Sequence, residues 1–375
     1  NTLISGDFSI ESLLAALEGK TRQMGAKLIM IDAVDVLMRI FQDPQKEQNE
    51  LYRLHDWLTE QQFTAILTAK VGKQKGYEHG YEILDYTADC VLFLDFRVMN
   101  QVATRRLRVI KYRGSGFYSN EYPYIITAEG NVIMPVSGVQ LLHKPLGKII
   151  SSGDAALDKA LGGGFRHSAC ILVSGPTGCG KTTLAATFAE AHSSENNVLY
   201  ISFEESAEAI MAAMQSPGID LKSATLAGNL DFYTIMPEAL VSEEHLYRIL
   251  KRIDLFQPDA IIVDAISACK RMGTEESAFD FLVRLINICK QQNLTCLLTN
   301  QLADNDTHPI HSGIGISSLV DTLMALRYIT NDGRVQRELT IMKSCGMHHS
   351  DRRHLFAITD HGIRINSLQN RQEED

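Results

Sequence analysis

The chain contains no C-x-x-C pair among its seven cysteines, no long apolar run and no excess of basic residues. Several cysteines lie inside apolar stretches such as SACILV and LTCLLT. They read as buried, reduced thiols, not as a disulfide framework. A membrane helix needs a window of about 18 apolar residues, and the sequence has none, so no span is expected. The opening NTLISGDFSIESLL lacks the basic start and apolar run of a signal peptide, which leaves a cytoplasmic location as the expectation. With 36 basic and 45 acidic residues the formal charge is −9, so a general nucleic-acid footprint is disfavoured, although a local basic patch is not. Long low-complexity tracts are missing too. At 375 residues and 45% hydrophobic content the chain can bury the cores of two or three domains.

What is present is a repeat. LIMIDAVD (28–35) resembles AIIVDAIS (260–267), and Asp32 and Asp264 are 232 positions apart. Asp89 in TADCVLFL and Asp321 in LVDTLMAL keep that offset of 232, as do Lys111 and Lys343, and Gly130 and Gly362. QQFTAILTA and QQNLTCLLTN match with a slip of a residue or two. One offset shared by several landmarks points to duplication of a whole domain. The chain then reads as the back part of a first copy (1–137), a linker (138–148), a complete second copy (149–367) and a short charged tail (368–375). The offset would place the first copy's phosphate-binding lysine about 50 residues ahead of Asn1, so an N-terminally shortened piece of a longer protein is expected. The alternative is a first copy that has lost its site.

The second copy carries the chemistry. CILVSGPTGCGKTTLAATFAEAH (170–192) reads as strand, loop and helix, with G-x-x-x-x-G-K-T supplied by Gly175, Gly180, Lys181 and Thr182. Glycines let backbone N–H groups turn inward around phosphate oxygens, and the following helix aims its N-terminus at the same anion. Gly175, Thr177, Gly178, Cys179, Gly180, Lys181, Thr182 and Thr183 are therefore candidate ATP contacts, with Lys181 also serving the outer phosphates in catalysis. Thr182 and Asp264, the latter at the end of an apolar strand, are the candidate Mg²⁺ holders. Glu204 and Glu205 in NVLYISFEES end another strand and are candidates to orient and deprotonate the attacking group. An acidic helix start without chemistry is the plainer account, and it is the one preferred for Glu275 and Glu276 in GTEES. Thr299, Asn300 and Gln301 end the next strand, where polar residues often sense the terminal phosphate. Strands alternating with helix-period stretches predict a mostly parallel α/β sheet flanked by helices. A carboxylate one strand after the loop, ahead of the aspartate strand, is the RecA-like order.

KIISSGDAALDKALGGGFRHSACILVSGPTGCGKTT, FEES, IIVDAIS and ISSLVDTLMALRY together resemble the KaiC family of ATPases and autokinases. The resemblance covers nearly the whole chain and implies tandem RecA-like P-loop domains, a homo-hexameric ring, ATP with Mg²⁺ at subunit interfaces, and phosphate transfer to a Ser-Thr pair. Here Ser317 and Ser318 occupy that pair, and Ser312 falls at a third hydroxyl position. The resemblance also implies that a neighbouring subunit supplies a K-x-R-G element. The first copy has it as Lys111, Tyr112, Arg113 and Gly114, so Lys111 and Arg113 are expected to act in trans; the second has Lys343 in trans, then Ser344, Cys345 and Gly346. A thiol thus stands for the arginine, with Arg352 or Arg353 as nearby substitutes. The chain stops 13 residues past Gly362, where the family's clock members carry an activator-binding tail, so a KaiC-like signalling ATPase is expected rather than a clock oscillator.

Two other readings stand beside the autokinase. One is a nucleotide-gated scaffold without transfer, favoured by Cys345. The other is a RecA- or DnaB-like DNA motor, disfavoured because LADNDTHPIHSGIG offers no Lys or Arg before Arg327. His348, His349 and His354 have no standard metal spacing. Cys179 is either a packing residue or an oxidisable thiol, and Trp57 reads as helix packing.

Overall fold

A computed structural model describes residues 9–70, 86–99, 102–134, 145–302, 315–331 and 333–367. Ser312, most of the 138–148 linker and the 368–375 tail lie outside the described residues, as does the loop weighed for DNA contact. The chain divides into two compact units, Asn1–Leu94 with Leu107–Glu121, and Asp95–Arg106 with Tyr122–Asp375.

In the first unit, strands β1 (Leu28–Asp32) and β2 (Thr64–Thr68) pair in parallel. Helix Ile10–Met24 starts at Ser9, whose side chain caps Ser12 N–H, and stops at Gly25 in the left-handed conformation. Helix Pro44–Glu60 starts at Asp43 with proline in its first turn. The two helices bury Ile10, Leu51, Leu54 and Leu58 with Ile29 of β1 and with Val34 and Met38. Trp57 packs beside Phe63, ring centroids 5.5 Å apart. The other face of the pair leaves Leu28, Met30 and Ile66 exposed. The matching residues of the second copy, Ala260 and Ile262, are buried in one cluster with Leu184 and Phe188.

Strands β3 (Cys90–Met99), β4 (Val102–Tyr112), β5 (Glu121–Thr127) and β6 (Gly130–Ile133) form a four-stranded sheet in that order. Met134 joins the second unit's core cluster and Val132 packs against it. The ion pairs Arg106–Glu243 (3.0 Å) and Lys251–Glu129 (2.6 Å) also lie within the second unit. These contacts explain why the compact division falls earlier than the linker boundary read from the sequence.

The short pair β7 (Ile149–Ile150) and β8 (Phe165–Arg166) precedes the main sheet. That sheet contains β9 (Cys170–Gly175), β10 (Val198–Ser202), β11 (Leu230–Thr234), β12 (Ala260–Asp264), β13 (Thr295–Gln301), β14 (Thr322–Asn331), β15 (Arg334–Ser344), β16 (Arg353–Thr359) and β17 (Gly362–Ser367). Their order is β11-β10-β12-β13-β9-β14-β15-β16-β17. From β11 to β14 every pairing is parallel, and from β14 to β17 every pairing is antiparallel. The mostly parallel sheet read from the sequence is therefore a mixed one. Short turns such as the one closed by Thr359 and Gly362 replace helical crossovers at its far end, and a tight turn can only reverse a strand. Apolar clusters cover both faces of the parallel strands, which is why β9, β10 and β12 are buried at every position.

The repeat is legible in local geometry. Asp32 accepts from Thr68 Oγ1 at 2.5 Å, and Asp264 accepts from Thr299 Oγ1. Thr127 Oγ1 donates to Gly130 O at 2.9 Å, and Thr359 Oγ1 to Gly362 O at 2.9 Å.

Candidate nucleotide site

In the parallel sheet, ligand-facing groups collect at the carboxyl ends of the strands. Register aligns those ends here: Ser202 lies opposite Asp264, and Gln301 opposite Gly175. One edge therefore gathers the glycine-rich loop after β9, the Glu204–Glu205 pair after β10, Asp264 at the end of β12 and Gln301 at the end of β13.

The loop runs from Gly175 into helix Lys181–Ser193. Gly178 and Gly180 adopt positive φ angles of 73° and 103°, and Gly180 caps the helix without a side chain. A Cβ at Gly180 would sit 2.6 Å from the Phe356 ring, so glycine is required by space as well as by conformation. Lys181 Nζ donates to Gly175 O at 2.9 Å and Pro176 O at 2.7 Å, which keeps its ammonium at the loop. Thr183 is buried and Thr182 half-buried. Cys179 is fully enclosed, and burial pushes its thiol up against the opposing pull of Lys181. The enclosed, raised thiol is in keeping with the packing reading.

Asp264 is 8% exposed. Its Oδ2 accepts from Tyr200 OH at 2.8 Å, and its Oδ1 accepts from Thr299. Burial and the neighbouring aspartate charge push the Tyr200 phenol far above its ordinary value, so it stays a proton donor. A hard cation prefers oxygen ligands. The donor set at this edge, the Asp264 carboxylate and the Thr182 hydroxyl, fits Mg²⁺.

Glu204 and Glu205 are both exposed. Ser202 Oγ accepts from Glu205 N–H at 3.1 Å and Glu204 N–H at 3.5 Å, which fixes the turn that presents them. Arg271 lies 3.8 Å from Glu204 and 2.7 Å from Glu238. Glu275 and Glu276, by contrast, open helix Glu275–Gln292 after the Thr274 cap, as the sequence suggested.

Three residues not singled out as loop contacts complete this edge. Gln301 Nε2 donates to Thr177 Oγ1 at 2.7 Å, tying the end of β13 to the loop. Tyr328 OH donates to Thr177 O at 3.3 Å, and Arg337 Nε donates to Gly178 O at 3.3 Å. Arg337 also lies over the Tyr328 ring at 5.7 Å. The offset of 232 carries this pair to Arg105 and Phe96, which stack at 5.3 Å, so the repeat held the signal that would have found it.

Ser317, Ser318 and Lys343 are placed elsewhere. The serines close a short turn before β14, with Ser317 half-buried and Ser318 exposed. Thr322 pairs with Ile171, at the start of β9, whereas the loop lies beyond its end. At about 3.3 Å per residue, the run from Thr322 to Tyr328 spans roughly 20 Å. Lys343, opposite Leu323, shares the serines' end and donates to Val320 O at 2.7 Å. Cys345 is exposed beside it. Arg353 leans to within 3.8 Å of Glu338, a buried carboxylate that Arg327 already holds at 2.5 Å. In the first unit, Lys111 donates to Tyr86 O at 2.9 Å and Arg113 pairs with Asp89 at 3.1 Å.

Of the seven cysteines, Cys90 and Cys345 are exposed, against the expectation of buried thiols; Cys90 opens β3, whose Leu92 and Leu94 are exposed as well. Among the described residues no group of three or more His, Cys, Asp or Glu could hold a metal ion, and none of the helices is long and apolar enough to cross a membrane. His354 instead bonds Ser350 at 2.9 Å.

The family model for the KaiC ATPase matches residues 2–137 and again 150–370. The chain belongs to the KaiC ATPase family. It is 34% identical, over 96% of its length, to circadian clock protein KaiC2 of Synechocystis sp., and spans 64% of that protein. Circadian clock protein KaiC3 of the same organism is 31% identical over 97% of the chain and 72% of the relative. The circadian clock oscillator protein KaiC of Parathermosynechococcus lividus is 29% identical over 96% of the chain and 67% of the relative. Among the described residues, the loop-and-carboxylate edge lies in the second of these matched segments.

Proposed function

We propose that this KaiC-family chain binds and hydrolyses ATP with Mg²⁺ in its second domain, 149–367, and transfers phosphate to Ser317 or Ser318 of a neighbouring copy. The observation that carries the reading is the opposition of two ends of one sheet. The loop, Glu204 and Asp264 share the carboxyl edge, while Ser317, Ser318 and Lys343 share the other. A phosphate held at one end cannot reach serines roughly 20 Å away along the same strands. Transfer then requires a second subunit to bring its serines and Lys343 to this subunit's edge, which is what a homo-hexameric ring of tandem RecA-like domains provides.

In that arrangement the loop N–H groups and Lys181 would hold the phosphates, and Thr182 and Asp264 would hold the metal. Mg²⁺ supplies charge neutralisation on the phosphates. Glu204, with Glu205 beside it, accepts the proton of the attacking water or serine hydroxyl. Lys111 and Arg113 take the corresponding trans role for a first-domain nucleotide.

The test is intact-mass measurement after incubation with Mg-ATP, using wild type, Lys181→Ala and a Ser317→Ala/Ser318→Ala double variant. A gain of one or two phosphates in wild type alone supports transfer. ATP hydrolysis with no mass gain favours the nucleotide-gated scaffold, the reading to which Cys345 lends weight.

A further inference from the structure

Tyr200 is fully enclosed in β10, within an apolar cluster that includes Val198, Ile262 and Leu297. Its ring lies 5.2 Å from that of Phe232. Across the strand pair its partner is Ile262, and Ser202 is the partner of Asp264. The phenol therefore reaches forward along its own face, past Ile262, to donate to Asp264 Oδ2 at 2.8 Å. Phenylalanine or leucine would satisfy the cluster equally well, and a hydroxyl buried among apolar side chains costs free energy unless it is bonded. The hydroxyl is explained by Asp264, not by the core.

Asp264 receives a second donor on its other oxygen, from Thr299 on the strand opposite to β10. Each carboxylate oxygen thus carries one strand-borne hydroxyl, one from each neighbouring strand. This fixes the plane of the group and leaves the remaining lone pairs for the open edge of the sheet. The threonine half of the clamp recurs in the first copy, where Thr68 donates to Asp32 at 2.5 Å.

We propose that Tyr200 is a positioning residue for the divalent metal, holding the Asp264 carboxylate in the orientation in which it would serve that metal. The proposal rests on the reading of Asp264 as the metal-holding carboxylate. Hydrogen-bond partners behind a metal-holding group typically contribute 10- to 100-fold in metal affinity, roughly.

Mn²⁺ provides a probe independent of turnover. Binding of Mn²⁺ to the full chain with saturating ADP is followed by electron paramagnetic resonance, and ADP affinity without metal is measured in chelator. Tyr200→Phe conserves volume and removes only the donor, so Mn²⁺ affinity is expected to fall by roughly tenfold or more, with metal-free ADP affinity unchanged. Phe232→Leu disturbs the packing but keeps the hydroxyl, and is expected to retain Mn²⁺. Wild-type Mn²⁺ affinity in Tyr200→Phe, or an equal loss in Phe232→Leu, would overturn the inference alone. A wild-type chain that binds ADP but no Mn²⁺ would overturn the metal reading of Asp264 and this inference with it.

Discussion

Arg113 and Cys345 hold the same place in the two copies: the Arg113 N–H donates to Asp89 O at 2.9 Å, and the Cys345 N–H to Asp321 O at 2.8 Å. The backbone is conserved across the repeat while the side chain loses its charge. Both side chains are exposed, so the exchange costs no packing.

Replacing Cys345 by arginine should therefore be tolerated structurally and gainful chemically. A trans arginine contributes roughly 10³–10⁵ to phosphoryl transfer where its partner site is complete. With Lys343 already at the same strand end, Cys345→Arg is expected to raise the single-turnover rate of ATP hydrolysis by about tenfold or more. An unchanged rate would mean that this position does not approach a neighbour's phosphates.

The loop glycine Gly180 gives a stability prediction. Its φ of 103° lies in the left-handed region, and a Cβ would stand 2.6 Å from Phe356 and 3.2 Å from Ile358. Gly180→Ala is expected to cost about 2 kcal/mol or more. In a domain of this size that lowers Tm by about 4 °C or more, read by differential scanning calorimetry without nucleotide. A variant melting with wild type would show that the β16 side chains yield easily.

These two cases mark what was readable in the sequence. The loop, Asp264, the Glu204–Glu205 turn and the repeat were legible because each is a short motif on an apolar strand, and period and spacing survive in a string of letters. Tyr328 and Arg337 were missed as loop neighbours because they lie far along the chain: β14 brings Tyr328 to the loop by pairing with β9, and β15 brings Arg337 there by pairing with β14. The mixed character of the sheet was missed for a related reason. β14 begins with a run of buried residues like the parallel strands before it, and only the short connecting turns beyond it distinguish reversal from crossover. The separation of Ser317 from the loop is a matter of strand direction, which residue identities do not state.

Acid should destabilise the second unit through its buried histidines. His245 is fully buried, with Nε2 3.0 Å from Pro237 O, and burial lowers its pKa below 6.5 despite that bond. His192 and His354 are lowered by burial too. In each case the unfolded chain takes up the proton first as pH falls. Between about 6.5 and the lower folded-state value the unfolded state binds more protons, so stability rises with pH through that window and is lost on acidification. Tm is expected to drop below pH ~6.5, with a shallower drop in His245→Phe than in wild type. Parallel Tm-against-pH curves for the two proteins would remove His245 from this account.

The paired carboxylates provide the last prediction. Glu204 and Glu205 leave β10 on one turn, both N–H groups bound to Ser202 Oγ, yet their surroundings differ. Arg271 stands 3.8 Å from Glu204 and is anchored at 2.7 Å by Glu238. It lies in the turn Ile266–Met272 that follows the Asp264 strand, and its ion pair sets Glu204 apart from Glu205. That placement favours Glu204 as the group that takes the proton of the attacking nucleophile. Glu204→Gln is expected to lower the hydrolysis rate by roughly 10²–10⁴ with little change in ADP affinity, because the proposed phosphate contacts belong to the loop. Glu205→Gln should cost markedly less in the same assay. Equal losses would mean that the two carboxylates act as one unit, and a larger loss in Glu205→Gln would reverse the assignment.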